Sequence, residues 1–149
     1  MMRVPKQDLY LTGTSMALSE TPNPHSESRP VSVLLFHPAD GFGGAERTSA
    51  NLVRWGNRDR FRFVVVTGPQ VCLHLDPEVR ALPLTDLGLS NGFSGMRRAF
   101  ADARTLCALA RREHCRVVLG MLHYGALVAA LMRPLSLFRL RAIASPRTP

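Results

Sequence analysis

Between Leu34 and Leu52 the chain reads LLFHPADGFGGAERTSANL. An apolar run stops at His37 and Pro38, glycines follow at Gly41, Gly43 and Gly44, and a segment of helical spacing opens with Ala45, Glu46 and Arg47. Glycines at the mouth of a helix leave the backbone bare. Its N–H groups can then approach an anion, and the helix dipole favours negative charge at the same place. The chemistry to expect is recognition of a phosphate, most naturally a diphosphate held by the amides of Gly43, Gly44 and Ala45. The competing reading is a tight strand-to-helix turn whose glycines only supply positive φ.

Two familiar versions of such a loop do not fit. A dinucleotide fingerprint, G-x-G-x-x-G, needs a third glycine where Glu46 stands, and an acid at the end of the next strand, where Thr67 and Gly68 stand. Both departures count against NAD. A P-loop needs a lysine, and residues 31–149 contain none. Metal chemistry finds equally little: His114 beside Cys115 is only a pair, as is His74 with Asp76, and no metal is expected. Cys72, Cys107 and Cys115 show no C-x-x-C spacing, which fits a reduced, cytoplasmic protein.

A loop of this kind needs a strand behind it and a sheet around it. VSVLLF, Val31–Phe36, reads as a strand buried on both faces. Ala45 to Trp55 follows as a helix with Ala45, Ser49, Leu52 and Val53 on its inner side. FRFVVVT, Phe61–Thr67, is a second buried strand, and VRALPL, Val79–Leu84, a weaker one that Pro83 assigns to an edge. Ser94 is the expected N-cap of a long surface helix, with Met96, Phe100, Ala103, Leu106, Cys107 and Ala110 inward. Arg97, Arg98, Arg104, Arg111 and Arg112 take its other sides. RVVLGML, Arg116–Leu122, is another buried strand, Tyr124–Met132 a short apolar helix stopped near Pro134, and RAIAS, Arg141–Ser145, a final strand. This alternation predicts an α/β, Rossmann-like, doubly wound parallel sheet. The sequence stops directly after a strand, which reads as a truncated domain.

Composition divides the chain in two. Residues 1–30 are rich in Ser, Thr and Pro between Thr14 and Pro30 and read as a disordered leader, without the apolar core of a secretory signal. Three bases and three acids balance there, so the net charge of +8 falls on residues 31–149, where 16 arginines face 8 acids. That surplus is either a solvated basic surface or an attraction to phosphates or anionic lipid. No aromatic-basic interleaving supports nucleic acid as a partner. The longest apolar stretch, Gly125–Met132, is too short to span a membrane.

The segment GGAER, Gly43–Arg47, after a first buried strand resembles the N-terminal domain of group 1 (family 4) glycosyltransferases of the GT-B fold. VLGMLHYGALVAAL, Val118–Leu131, is similar to that family's fourth strand, loop and apolar helix, and IASPRTP, Ile143–Pro149, resembles its SERN-P segment, with proline in place of glutamate and one residue fewer. The resemblance covers Val31 to Pro149. It implies retaining transfer of a sugar from a nucleotide-sugar to a glycan or lipid-linked acceptor, with no further cofactor. It also implies a second, C-terminal domain that binds the nucleotide through an E-x7-E motif, which this sequence lacks. The chain is therefore expected to be inactive alone, to need a separate donor-domain partner, and to sit in the cytoplasm or against the inner face of the membrane. The alternative is a non-catalytic Rossmann-type nucleotide-binding module or partner subunit.

In that frame the backbone of Gly43, Gly44 and Ala45 would stabilise the leaving diphosphate. Glu46 would repel phosphate, and is expected to turn aside, either capping the backbone or accepting from a sugar hydroxyl. Arg47 points to phosphate or to solvent. Asp40 forms a turn or accepts from an acceptor hydroxyl. His123 and Tyr124 follow the fourth strand and face the cleft or, for Tyr124, pack as a core aromatic. Arg147 matches the arginine of the SER segment and would hold the acceptor or the loop; Ser145 is a weaker candidate. No residue is assigned as catalytic.

Overall fold

The alternating runs fold into five parallel strands in the order β3-β2-β1-β4-β5. The computed structural model describes residues 29–41, 43–137 and 139–145. The expected leader up to residue 28, and Arg147 with its neighbours, lie outside the described residues. In chain order the elements are β1 (Val31–His37), α1 (Gly44–Trp55), β2 (Phe61–Thr67), α2 (Pro69–Cys72) and β3 (Arg80–Pro83). A short 3-10 turn at Thr85–Leu87 precedes α3 (Met96–Arg112), β4 (Val117–Met121), α4 (Leu122–Leu135) and β5 (Arg141–Ser145). This is an α/β fold with an all-parallel sheet flanked by helices, consistent with a Rossmann-like fold.

The β-branched and apolar runs became strands because both of their faces are covered. Leu34, Phe36, Val64, Val66 and Val118 point to one face, against Ala103, Leu106 and Ala110 of α3 and Val128, Ala129 and Met132 of α4. Leu35, Val65 and Met121 point to the other, against Val53 of α1. Register pairs Val31 with Phe61 and His37 with Thr67, so β1 and β2 end together at the carboxyl edge. Strand order reverses at β1, with β2 and β3 laid down on one side and β4 and β5 on the other, which makes the ends of β1 and β4 the switch point where such sheets bind ligands.

Several expectations need correction. The inner stripe of α1 is Glu46, Ser49 and Val53, one position round from the expected one, and Leu52 is exposed. Its cause is His37, whose ring needs polar partners on the facing helix. In α3, Ser94 is not the cap: Gly95 takes that position with φ 116°, a conformation that glycine alone adopts cheaply. Met96 and Phe100 are exposed, while Ala99, Asp102 and Leu109 join the buried stripe. Helix α2 begins with Pro69 at its first turn, a position that suits proline, where the sequence signalled only the end of β2.

Two close approaches bring the carboxyl edge together. A Cβ on Gly68 would lie 2.1 Å from the Ala39 carbonyl oxygen, and the Gly68 N–H donates to that oxygen at 3.0 Å. A Cβ on Gly120 would lie 2.1 Å from the Gly125 carbonyl oxygen. The first contact pins the exit of β1 to that of β2, and the second lets the start of α4 lie flat on β4.

Candidate functional site at the carboxyl edge of the sheet

β1 carries the chain to the switch point, and the corner from Pro38 to Gly43 turns it into α1. Gly43 is the N-cap, in extended backbone with φ −120°. Positive φ among the described glycines occurs only at Gly88 and Gly95. Gly41, Gly43 and Gly44 therefore do not owe their place to left-handed backbone. Packing does not require Gly41 or Gly44 either, since a Cβ there would meet nothing within 4 Å, whereas one on Gly43 would lie 3.0 Å from Glu46 Oε2. The reading of the corner as a turn whose glycines only supply positive φ is thereby removed. What the glycines do leave is exposed, bare backbone at a helix entry.

Glu46 turns back on this corner. Its Oε2 accepts the Gly43 N–H at 2.8 Å, the backbone half of a capping box. Its Oε1 lies 3.3 Å from His37 Nε2. On the other side of the ring, Nδ1 lies 2.6 Å from Ser49 Oγ. One assignment satisfies every partner: Ser49 donates its O–H to Nδ1, and Nε2–H donates to the Glu46 carboxylate. Burial holds the His37 pKa below its ordinary value, against the pull of Glu46, so the ring is neutral. Burial opposes the charge of Glu46, but the N–H groups of Glu46 and Gly43 and the His37 ring outweigh it and hold its pKa low.

Ser49, His37 and Glu46 thus stand in the order nucleophile, base and orienting acid. Their burial rules out that use: His37 is 0% and Ser49 2% exposed. The chain of bonds is a strut between the end of β1 and the entry of α1. Sequence reasoning missed it. The signal was present, since His37 has the same parity as Leu35 and must face α1, where Glu46 and Ser49 lie three apart on one side. Beside His37 in register, the buried hydroxyl of Thr67 has no hydrogen-bond partner among the described residues.

With Gly43 committed to Glu46, the N–H groups of Gly44 and Ala45 are the ones without an acceptor among the described residues. Both belong to the first turn of α1 and are at least partly exposed. Across the switch point, β4 passes into α4 without a connecting loop. Leu122 makes this turn in left-handed backbone, φ 61°, which is costly for a side chain of its size. His123 follows it, exposed, in the first turn of α4.

A cleft of about 300 Å³ opens at the same edge, lined by Asp40, Leu84, Thr85, Ser90, Asn91 and Ser94 among others. Its wall is held from inside the protein. Asp102, 1% exposed, accepts the Ser90 N–H at 3.0 Å, the Tyr124 hydroxyl at 2.8 Å and the Arg98 guanidinium at 3.1 Å. Arg98 also donates to the Ser90 hydroxyl and the Gly88 carbonyl. Burial first and then Asp102 push the Tyr124 phenol up to about 12. Asp102 was also missed by sequence reasoning. Its signal was an acid inside the apolar stripe of α3, which must find a partner there.

The candidates therefore divide. Gly44, Ala45, Asp40 and His123 stand exposed or half-exposed at the carboxyl edge. Gly43 and Glu46 bond to one another. Tyr124 is a core residue, edge-on to Phe36 and Phe93 at 6.4 Å each. Arg47 lines a different recess, of about 250 Å³, with Asn51, Arg54, His74 and Asp76 on the outer side of α1. Ser145 ends β5, and Arg147 lies outside the described residues. Burial raises all three thiols, Cys115 to about 11, which leaves little thiolate near neutral pH. Among the described residues no group of three or more metal-ligating side chains forms, and no helix is long and apolar enough to cross a membrane. Comparison with known proteins finds no matching family model, no similar curated protein and no similar solved structure.

Proposed function

We propose that residues 31–149 are the acceptor-side domain of a retaining GT-B glycosyltransferase, one wall of a cleft in which a sugar passes from a nucleotide-sugar to a glycan or lipid-linked acceptor. One observation carries the reading. Glycines stand at 41 and 44 where neither backbone conformation nor packing asks for them, at the carboxyl edge of the central strand. Bare amides at a helix entry suit a diphosphate, whose negative charge grows as the sugar departs. The order of GGAER, VLGMLHYGALVAAL and IASPRTP along the chain supports the family assignment.

The roles follow from the surroundings. The N–H groups of Gly44 and Ala45 donate to the diphosphate. Glu46 holds the corner in shape and leaves the anion site by bonding Gly43 and His37. The cleft beside Asp40, with hydroxyls at Thr85, Ser90 and Ser94, suits an acceptor rich in hydroxyl groups. His123, next to the left-handed Leu122, reaches toward the transferred sugar. The nucleotide is gripped by a second domain, supplied by another chain or another segment.

Titration of the 15N-labelled chain with UDP-glucose, GDP-mannose, inorganic pyrophosphate and NAD tests this. The amide signals of Gly44 and Ala45 are expected to move with the diphosphates, and least with NAD. Tight NAD binding at these amides supports the alternative, a Rossmann-type dinucleotide module. Diphosphates that move neither amide contradict the proposal, and so does brisk sugar transfer by the chain alone.

A further inference from the structure

The arginines of the folded part crowd one edge. All strands of a parallel sheet start on the same side, and each start here carries an arginine: Arg29 before β1, Arg60 before β2, Arg80 in β3, Arg116 before β4 and Arg141 in β5. Backbone bonds fix the row. The Val31 N–H donates to Arg60 O at 2.8 Å, that of Arg116 to Ser32 O at 3.0 Å, and that of Arg141 to Arg116 O at 2.9 Å. Helices run back to the same edge, and α1 and α3 end there on Arg54, Arg111 and Arg112.

Complementing helix dipoles explains the arginines at helix ends. It does not explain those at strand starts, because sheets carry little net dipole. Ion pairing explains only Arg80 among them. Glu113 takes up Arg62 and Arg80 at 3.0 Å each, and Asp76 and Glu78 take up Arg58. Among the described residues, Arg29, Arg60, Arg116, Arg139 and Arg141 form no ion pair with a carboxylate.

Large apolar side chains stand among these charges. Trp55, the last residue of α1, is 76% exposed, and Leu137, in the turn from α4 to β5, is 75% exposed. Val31 and Phe61, which open β1 and β2, are exposed as well. Between the starts of β1, β2 and β4 a recess of about 710 Å³ is lined by Arg29, Arg62, His114 and Arg116.

We propose that this edge docks on an anionic lipid surface. The strand-start arginines meet headgroup phosphates, the recess at Arg116 receives one headgroup, and Trp55 and Leu137 enter the interfacial layer. Aromatic side chains among arginines would also suit nucleic acid, by stacking on bases. Exposed aliphatic groups such as Val31 and Leu137 gain nothing from bases and are favoured at a lipid interface. On α3, by contrast, Arg98 is committed to Asp102, Ser90 and Gly88. Docked in this way, the glycine corner lies on the edge away from the lipid. The inference does not rest on the sugar-transfer reading, since its test contains no nucleotide-sugar and either can fail alone.

Trp55 is the single tryptophan of the chain, so its emission reports this edge alone. The full chain is mixed with vesicles of phosphatidylcholine, with or without phosphatidylglycerol, and followed by flotation and fluorescence. Expected are binding to the anionic vesicles only, release by salt, a blue shift of Trp55 and quenching by lipids brominated near the headgroup. Arg116→Gln and Arg141→Gln should each lower partitioning about fivefold. Leu137→Asn should lower it without changing the thermal midpoint. Equal binding to neutral vesicles, or an unshifted Trp55 with anionic ones, overturns the proposal whatever the variants do. So does single-stranded RNA that displaces the chain from vesicles and shifts Trp55 itself.

Discussion

Glu46 reaches back three residues to Gly43, accepting its N–H at 2.8 Å, while its second oxygen lies 3.3 Å from the buried ring of His37. One carboxylate therefore ties the helix entry to the end of the central strand. Glu46→Ala should cost about 1–2 kcal/mol, through the lost cap and an orphaned Nε2–H. Glu46→Gln, which keeps an acceptor for Gly43, should cost less and should tighten pyrophosphate binding by removing a like charge. Urea denaturation and a pyrophosphate titration of both variants measure this.

His37 gives the fold a pH dependence with a definite sign. Its folded pKa lies below the ordinary 6.5 because the ring is buried. Below that value the unfolded chain binds a proton that the folded chain resists. The His37 contribution is therefore complete above 6.5 and lost as pH falls from there toward the depressed folded value. Glu46, also lowered, adds a loss only at more acid pH, below its ordinary 4.5. Urea midpoints from pH 8 to pH 5 should fall for the wild type and fall less for His37→Gln. Parallel curves would remove His37 as the cause.

Tyr124→Phe removes the hydroxyl that donates to Asp102 at 2.8 Å. Asp102 keeps Ser90 and Arg98, so the expected cost is about 1–2 kcal/mol and not unfolding. Absorbance at alkaline pH should show Tyr124 ionising only near its raised value of about 12, an absorbance step absent from the variant. Ionisation near 10 would mean that the phenol is not held as described.

Gly68 and Gly41 should respond in opposite ways to alanine. A Cβ at Gly68 would fall 2.1 Å from Ala39 O, while one at Gly41 meets open space. Gly68→Ala should destabilise by about 2 kcal/mol or more, the usual range for backbone that must be displaced. Gly41→Ala should be neutral within about 0.5 kcal/mol. Thermal melts of the two variants decide the matter.

The fold was legible wherever one residue pattern had one physical meaning. Runs such as VSVLLF and FRFVVVT are short, β-branched and apolar, which suits buried strands, and strands alternating with helices lead to a parallel sheet. Errors arose where a polar residue sat on an inner face. His37, Glu46 and Ser49 satisfy one another across the β1–α1 contact, which shifts the inner stripe of α1. Asp102 does the same in α3 by meeting Tyr124 and Ser90. Such pairs are contacts between different elements, which spacing within one element does not reveal. The row of arginines at the strand starts was hidden for a related reason, because residues 29 to 141 become neighbours only when the strands lie parallel.

Gly44 gives the phosphate reading its most direct measurement. It opens α1 with ordinary backbone and free space where a Cβ would stand. Gly44→Ala should therefore leave the stability unchanged or raise it, by up to about 1 kcal/mol of helix propensity. Its methyl group should nonetheless stand where a diphosphate must approach, and weaken pyrophosphate and nucleotide-sugar binding about tenfold or more. A variant that binds as well as the wild type, with the same stability, would contradict the role assigned to the glycine corner.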